Sequence, residues 1–142
     1  MNKSGPIVLI DDDHEDLQLL IEIFADLNLP NEIHLFKTAD SALTFLKQEN
    51  VYPFFIISDI NMPKVSGFQF REMIRNDAAL NKKRIPFMFF TTASTIQVVS
   101  DSDDLSIQGV FIKPTKAAEW HQTLKTIVSY WQLSMSPDQY HL

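Results

Sequence analysis

The chain has 142 residues, which is enough for one domain with its own hydrophobic core and too few for two domains of ordinary size. It contains no cysteine, so disulfides, thiolate metal sites and cysteine nucleophiles are excluded. The formal net charge is −6, and the sequence lacks the clustered cationic contacts on which direct nucleic-acid binding usually depends. No apolar run is long enough to span a membrane, and no secretory pattern opens the chain. These features predict a soluble, cytoplasmic protein that binds neither membranes nor nucleic acid.

Five short apolar segments, each bounded by polar or turn-forming residues, predict buried strands. In chain order they are residues 7–10, 33–36, 54–58, 86–90 and 110–112. The third segment ends in Ser58 and Asp59, and the loop that follows contains Pro63, which lacks a backbone donor and cannot continue a ladder. Asp59 is therefore predicted to lie where a buried strand gives way to a loop.

Apolar residues at helical spacing predict helices between these strands. Asp13 is the expected N-cap of the first helix, and Thr38 or Asp40 that of the second. A weakly patterned helix is expected over residues 95–104, and residues 81–84 are expected to form a polar, basic connection. The predicted inner faces are Leu17, Leu20, Ile21, Phe24 and Leu27 in the first helix; Ala42, Leu43 and Leu46 in the second; Phe70, Met73 and Ile74 in the third; and Ala117, Trp120, Leu124, Ile127, Val128 and Trp131 in the last.

Five strands alternating with five helices predict an α/β domain with a parallel sheet covered by helices on both faces. One domain is expected over residues 1–142, with a core over about residues 7–132 and a C-terminal tail over residues 133–142. Right-handed crossovers bring the carboxyl ends of all the strands to one edge of the sheet, where ligands bind in open α/β folds.

That edge is predicted to collect the polar residues that follow the strands. They are Asp11 and Asp12, Asp59, Thr91 or Thr92, and Lys113. Carboxylates brought this close repel one another unless a proton or a cation joins them. Oxygen ligands with no histidine or cysteine nearby suit Mg²⁺. A carboxylate placed between Mg²⁺ and a lysine is suited to attack phosphorus, and the expected product is an aspartyl phosphate on Asp59 held by Lys113 and a threonine hydroxyl.

Each of these residues also has a plain structural interpretation. An aspartate run before a helix is more often a cap, and a single aspartate at a strand end is usually a turn former. The four histidines lack metal-ligand spacing and are interpreted as surface or structural residues. It is the convergence of the polar residues on one edge that favours a functional site.

With these residues in place, the chain resembles a CheY-like receiver domain of a two-component response regulator over about residues 7–132. The matching residues are Asp11 and Asp12 after the first strand, the segment from Asp59 to Pro63 with Gly67 downstream, Thr91-Thr92-Ala93, and Lys113-Pro114.

This resemblance implies a flavodoxin-like sheet of order 2-1-3-4-5. It implies phosphorylation of Asp59 by a histidine kinase or phosphotransfer protein, with no enzymatic activity beyond self-phosphorylation and autodephosphorylation. Asp12, Asp59 and the backbone carbonyl of Asn61 would bind Mg²⁺, with Asp11 close by, and Lys113 would contact the phosphoryl group. Thr91 is preferred over Thr92 as the switch hydroxyl. The family often has a cis peptide bond before the proline that follows the lysine.

The resemblance also bears on how a signal would leave the domain. Where the family often has an aromatic residue, three positions before the lysine, this chain has Val110, so the conformational change is expected to be confined to residues 91–94 and the start of the helix over residues 95–104. That helix, the fifth strand and the helix of Trp120 form the expected surface for a downstream protein. A stand-alone regulator is expected, because the chain ends soon after the fifth helix.

Two other functions also fit part of the sequence. The first is a Mg²⁺-dependent phosphohydrolase of the haloacid-dehalogenase type, in which Asp11 and Asp13 would form the nucleophile motif, although Glu15 stands where that motif has threonine or valine. The second is a receiver-like binding module that is never phosphorylated.

Overall fold

The computed structural model describes residues 2–95 and 105–135. Five strands form one parallel sheet in the order β2-β1-β3-β4-β5, which confirms the predicted α/β fold. The strands are β1 (Ile7–Ile10), β2 (Ile33–Phe36), β3 (Phe55–Ser58), β4 (Phe87–Thr91) and β5 (Gly109–Ile112). The helices in the described ranges are α1 (His14–Asp26), α2 (Ala39–Leu46), α3 (Gly67–Asn76), α4 (Ala78–Lys82) and α5 (Ala117–Leu133).

The core has two layers, one on each face of the sheet, because successive side chains of a strand point to opposite faces. In β1, Val8 and Ile10 pack with α2, α3 and α4, whereas Ile7 and Leu9 pack with α1 and α5. The three central strands β1, β3 and β4 are fully buried, as their uninterrupted apolar sequences predict. None of the described helices is long and apolar enough to cross a membrane.

The predicted helix starts agree with the caps in the structure. The side chain of Asp13 accepts a hydrogen bond from the backbone of Asp16, and Thr38 rather than Asp40 caps α2. Ser66 and Gln69 form a reciprocal capping box at the start of α3. The chain leaves α1 through Asn28, whose φ of 51° ends the helix.

Three inner-face assignments are wrong in detail. Ile21 of α1 and Met73 of α3 are exposed, whereas Ile23 and Arg71 are buried in their helices. Ile21 directly follows the buried Leu20 and is rotated off the inner stripe by the helical step of about 100° per residue. At the start of α5, Ala117 is also exposed.

The polar connection expected over residues 81–84 is partly helical. Helix α4 forms over Ala78–Lys82 because Asp77 caps it, accepting from the backbone of Leu80 at 3.0 Å, and because Leu80 is buried. The helix expected over residues 95–104 lies outside the described residues except for Thr95, the last residue of a 3₁₀ turn over Ala93–Thr95.

Arg71 links α3 to Leu105 and Ser106, which precede β5. Its Nε donates to the carbonyl of Leu105 at 2.9 Å and its Nη2 to that of Ser106 at 2.8 Å, while the guanidinium lies 5.1 Å from the ring centre of Phe87. Burial, and to a lesser degree the charge of Arg75, lower the pKa of Arg71 to about 10, so it stays protonated at neutral pH. The buried side chain therefore holds Leu105 and Ser106, which precede β5, against α3.

Replacing Arg71 by methionine keeps an extended side chain but removes both donors. We expect the free energy of unfolding to fall by about 1–3 kcal/mol, because the carbonyl of the buried Leu105 loses its partner. Urea denaturation measures the change. Lys125→Met, which removes an exposed positive charge from α5, is the control. Equal stabilities for the two variants would contradict the assigned role.

Candidate functional site

The site is built where four strands end at the carboxyl edge of the sheet. Asp11 follows β1, Asp59 follows β3, Thr91 is the last residue of β4, and Lys113 follows β5. Backbone hydrogen bonds fix their relative positions along the strand direction. The backbone N–H of Asp59 donates to the carbonyl of Ile10 at 2.9 Å, and that of Lys113 donates to the carbonyl of Thr91 at 2.6 Å. The register of the sheet thus brings together residues that are up to 102 positions apart in the chain.

One ammonium group lies at the centre of the site. Nζ of Lys113 is 2.7 Å from Oδ2 of Asp11, 2.8 Å from Oδ2 of Asp16 and 3.1 Å from Oδ2 of Asp59. The exposed fractions of the Lys113, Asp11 and Asp59 side chains are 5%, 3% and 9%. A protonated lysine has three donors, and three carboxylates use them here.

Backbone donors hold the second oxygen of two of these carboxylates. Oδ1 of Asp11 accepts from the backbone of Asp13 at 2.9 Å, and Oδ1 of Asp59 accepts from the backbone of Ile60 at 2.8 Å. Each carboxylate is therefore oriented by its own loop, with Oδ2 directed to the lysine.

The ionisation of the site follows from burial and charge together. Burial raises the pKa of Asp11 to about 6, although the nearby Lys113 ammonium opposes this. Burial alone would lower the pKa of Lys113, but the carboxylates of Asp11, Asp16 and Asp59 outweigh it and raise that pKa above its usual value. The two shifts differ in origin, since the lysine gains three anionic neighbours whereas Asp11 gains one cation and loses its hydration. At pH 7 the lysine is protonated and Asp11 is mostly ionised.

Three carboxylates offer a set of metal ligands. Single oxygens of Asp11, Asp12 and Asp59 all lie within 4.8 Å of one another. Burial also raises the pKa of Asp12, with the charge of Asp59 as a lesser cause in the same direction. Oxygen donors of this kind suit Mg²⁺, and Asp12 is exposed, so water can complete the coordination of a hard cation. Asn61 lies in the exposed loop after Asp59, and its carbonyl remains a predicted ligand.

The two candidate switch hydroxyls lie in different environments. Thr91 is fully buried, and its Oγ1 has no hydrogen-bond partner among the described residues. The Oγ1 of the exposed Thr92 lies 3.1 Å from Oγ of Ser94. A buried hydroxyl without a partner is costly, so Thr91 is the residue that would gain from a new acceptor in the site.

The N-terminus of α3 packs directly on the loop of Asp59. A Cβ atom on Gly67 would lie 2.3 Å from the carbonyl oxygen of Asp59 and 2.8 Å from the Cα of Ile60. Only glycine permits this close approach. The Lys113–Pro114 peptide bond is trans, contrary to the common pattern of the family.

The sequence did not single out Asp16 as a site residue. In the structure its carboxylate lies 2.8 Å from Nζ of Lys113, almost as close as that of Asp11 at 2.7 Å. No sequence signal distinguishes this aspartate from its neighbour Glu15, because acidic residues are common in the first turn of any helix.

Replacing Lys113 by methionine leaves the buried carboxylates of Asp11 and Asp59 without their cation. We expect the free energy of unfolding to fall by about 3 kcal/mol at pH 7. The loss should be smaller at pH 5, because the folded-state pKa of Asp11 already lies above its ordinary value of 3.8 and rises further without the lysine. The folded variant then takes up a proton that the unfolded chain does not, and its stability rises as the pH falls.

Urea denaturation of wild type and variant at the two pH values measures this difference. Lys125→Met is again the control for the loss of one exposed positive charge. An equal loss at pH 7 and pH 5 would show that the network does not depend on these charges.

Comparison with known proteins identifies the family. The model of the response regulator receiver domain matches residues 7–125. The chain is 27% identical over 128 residues to chemotaxis protein CheY-3 of Vibrio cholerae serotype O1, an alignment that covers 89% of this chain and 94% of CheY-3. It superposes on the phosphorylated cyanobacterial phytochrome response regulator RcpA with a TM-score of 0.80 at 26% identity, covering 93% of this chain and 96% of RcpA.

A second solved structure, the Mn²⁺-bound form of response regulator Rcp1, gives a TM-score of 0.78 at 26% identity, with 93% of this chain and 97% of Rcp1 covered. These similarities agree with the predicted sheet order and extend over most of the sequence. The chain belongs to the family of response regulator receiver domains.

Proposed function

We propose that this receiver domain takes a phosphoryl group from a histidine kinase or phosphotransfer protein onto Asp59, in a reaction that depends on Mg²⁺. The observation that carries the proposal is the placement of Oδ2 of Asp59 beside the Lys113 ammonium, within a cluster of carboxylates that could hold a metal ion. Receiver domains in general are signalling modules that interact with such kinases and transfer proteins, and they are not classical enzymes.

In the proposed reaction Oδ2 of Asp59 attacks the phosphorus of a phosphohistidine. The new O–P bond forms as the P–N bond breaks, and the imidazole leaves with its electron pair. The backbone donor of Ile60 keeps Oδ1 in place and so orients the nucleophile. The Lys113 ammonium, which already contacts Oδ2, can donate to an oxygen of the transferred group. The hydroxyl of Thr91, which has no partner among the described residues, provides another donor.

Asp11, Asp12 and Asp59 would hold the Mg²⁺ ion, with the carbonyl of Asn61 as a further proposed ligand. When bound, the ion supplies positive charge to the transferring oxygens. The oxygen-only donor set fits such an ion. Two similar proteins support the proposal by analogy, since RcpA has been solved in a phosphorylated form and Rcp1 with Mn²⁺.

The proposed surface for a downstream protein includes β5 and α5. Ile112, Tyr130 and Leu133 are large apolar residues of these elements that are exposed to solvent. The expected helix over residues 95–104, which would complete this surface, lies outside the described residues. A single domain over residues 1–142, a cytoplasmic location and the absence of membrane and nucleic-acid partners remain proposals from the sequence.

The phosphohydrolase alternative would require Asp11 as the nucleophile. Asp11 and Asp59 are held alike, by Lys113 and by one backbone N–H each, but Asp11 is the more buried, with 3% of its side chain exposed against 9% for Asp59. The match to the receiver family over residues 7–125 also favours the phosphoacceptor function.

The acceptor assignment is tested with Asp59→Asn, which keeps the shape of the side chain and removes the nucleophile. Incubation with Mg²⁺ and a small phosphodonor should add one phosphoryl group to the wild-type chain and none to the variant, as read from intact mass. Asp13→Asn is the control, because Asp13 caps α1 and should not affect the acceptor. A phosphoryl adduct on Asp59→Asn would disprove the assignment, and absence of an adduct on both chains would favour the binding module that is never phosphorylated.

Mg²⁺ should stabilise the folded chain, because it relieves repulsion among Asp11, Asp12 and Asp59. At a hundred times its dissociation constant the gain is about 2.7 kcal/mol by mass action. Asp12→Ala should remove most of the Mg²⁺-dependent rise in melting temperature. An unchanged rise in that variant would argue against the site.

The affinity for Mg²⁺ should also depend on pH. Burial raises the pKa of Asp11 to about 6, so below that pH a proton competes with the metal for this carboxylate. We expect the dissociation constant to rise by up to about tenfold for each pH unit below 6 and to change little between pH 7 and pH 8. Titration by calorimetry measures it. The same titration with Asp11→Asn, which cannot take up the proton at this position, should lose most of this dependence.

A further inference from the structure

We propose that Asp16 is a positioning residue that lowers the affinity of the site for an anion through its hold on Lys113. The proposal rests on the proposed function of Asp59 as phosphoacceptor. The juxtaposition that motivates it is the contact of 2.8 Å between Nζ of Lys113 and Oδ2 of Asp16, which is intermediate between the contact with Asp11 at 2.7 Å and that with Asp59 at 3.1 Å.

Asp16 is fixed in this position by the start of α1. Its backbone N–H is bound at 2.9 Å by the side chain of Asp13, the N-cap. One turn of helix then directs its carboxylate to the lysine that follows β5, at the opposite end of the sequence. The carboxylate is therefore held by secondary structure, and the contact does not depend on a flexible loop.

Asp16 differs from the other carboxylates around the lysine in two respects. Its side chain is 28% exposed, against 3% for Asp11 and 9% for Asp59. Among the described residues, it is also not a member of the group of carboxylates whose oxygens could share one metal ion. Asp16 therefore contacts the lysine without contributing to the predicted cation site.

The charge of the site shows what this contact does. Asp11, Asp12 and Asp59 would be balanced by one ammonium group and one divalent cation, which leaves the site neutral. Asp16 adds one further negative charge. A phosphoryl group arrives as an anion, so the additional carboxylate opposes its binding and shares the ammonium with it. Asp16 thus limits how strongly Lys113 can hold the phosphoryl group.

Binding of beryllium trifluoride, an anion that imitates a phosphoryl group on a carboxylate, tests this inference on the full chain with saturating Mg²⁺. Tryptophan fluorescence is a suitable signal, because Nε1 of Trp120 donates to the carbonyl of Pro114, directly beside Lys113, at 2.6 Å. Asp16→Asn should bind the anion roughly tenfold more tightly than wild type, the effect of one partly screened charge at this range. Asp16→Ala should behave in the same way.

Two variants separate this effect from a change in the helix. Glu15→Gln removes the same charge from the same turn of α1 without a contact to Lys113, and should leave the dissociation constant unchanged. Asp16→Glu keeps the charge and should remain close to wild type. Thermal melting of each variant establishes that it is folded under the conditions of the titration.

The outcomes distinguish this inference from the proposed function. Wild-type binding with equal or weaker binding by Asp16→Asn overturns the role of Asp16 and leaves the phosphoacceptor function intact. Tighter binding by Asp16→Glu or Glu15→Gln, to the same extent as by Asp16→Asn, also overturns it, because the effect would not depend on the charge beside the lysine. Absence of binding by wild type and all variants overturns the phosphoacceptor function together with the role of Asp16.

Discussion

The arrangement of the whole carboxyl edge depends on one ammonium group shared by three carboxylates. An ion pair buried to this degree is stable only if its partners are well aligned and their remaining oxygens are satisfied. Here the geometry comes from the backbone, because the loops after β1 and β3 each provide an N–H that holds one oxygen of Asp11 or Asp59. Lys113 then closes the network from β5. The lysine is therefore a structural cation as well as the proposed partner of the phosphoryl group.

The parallel sheet places these groups with little freedom. β1 and β3 are neighbours in register, from Ile7 opposite Phe55 to Ile10 opposite Ser58, so the residues that follow them emerge side by side. Both faces of these strands are covered by helices, which excludes water from the base of the site. At Gly67, α3 approaches the backbone of Asp59 so closely that no side chain fits between them. The environment that raises the pKa of Asp11 is thus a direct consequence of how the core is packed.

The strands and the residues that end them were predictable from the sequence, because buried parallel strands have uninterrupted apolar sequences and their carboxyl ends share one edge. The sheet order followed from the resemblance to receiver domains, and the structure confirms it. Features that depend on side-chain direction were not predictable in this way. Asp16 has the sequence character of any acidic residue in a first helical turn, and only the tertiary structure shows that it faces Lys113. The burial of Arg71 was not predictable for a similar reason. A charged side chain is buried only where acceptors such as the carbonyl of Leu105 bind it, and these acceptors come from a distant part of the chain. Helix α4 is short and depends on a single buried leucine.

The charge balance of the site also implies an order of events. Without a divalent cation, the carboxylates of Asp11, Asp12, Asp16 and Asp59 outnumber the one ammonium group, and a phosphoryl donor would meet net repulsion. In the proposed reaction, Asp11, Asp12 and Asp59 would hold a divalent cation that offsets part of this repulsion, and Lys113 could then turn one of its three donors from Asp59 to the incoming oxygen. The contact that Lys113 makes with Asp59 is the longest of its three, at 3.1 Å, so it is the one given up at least cost. The buried hydroxyl of Thr91 has no partner among the described residues, and the proposed phosphoryl group would provide an acceptor for it.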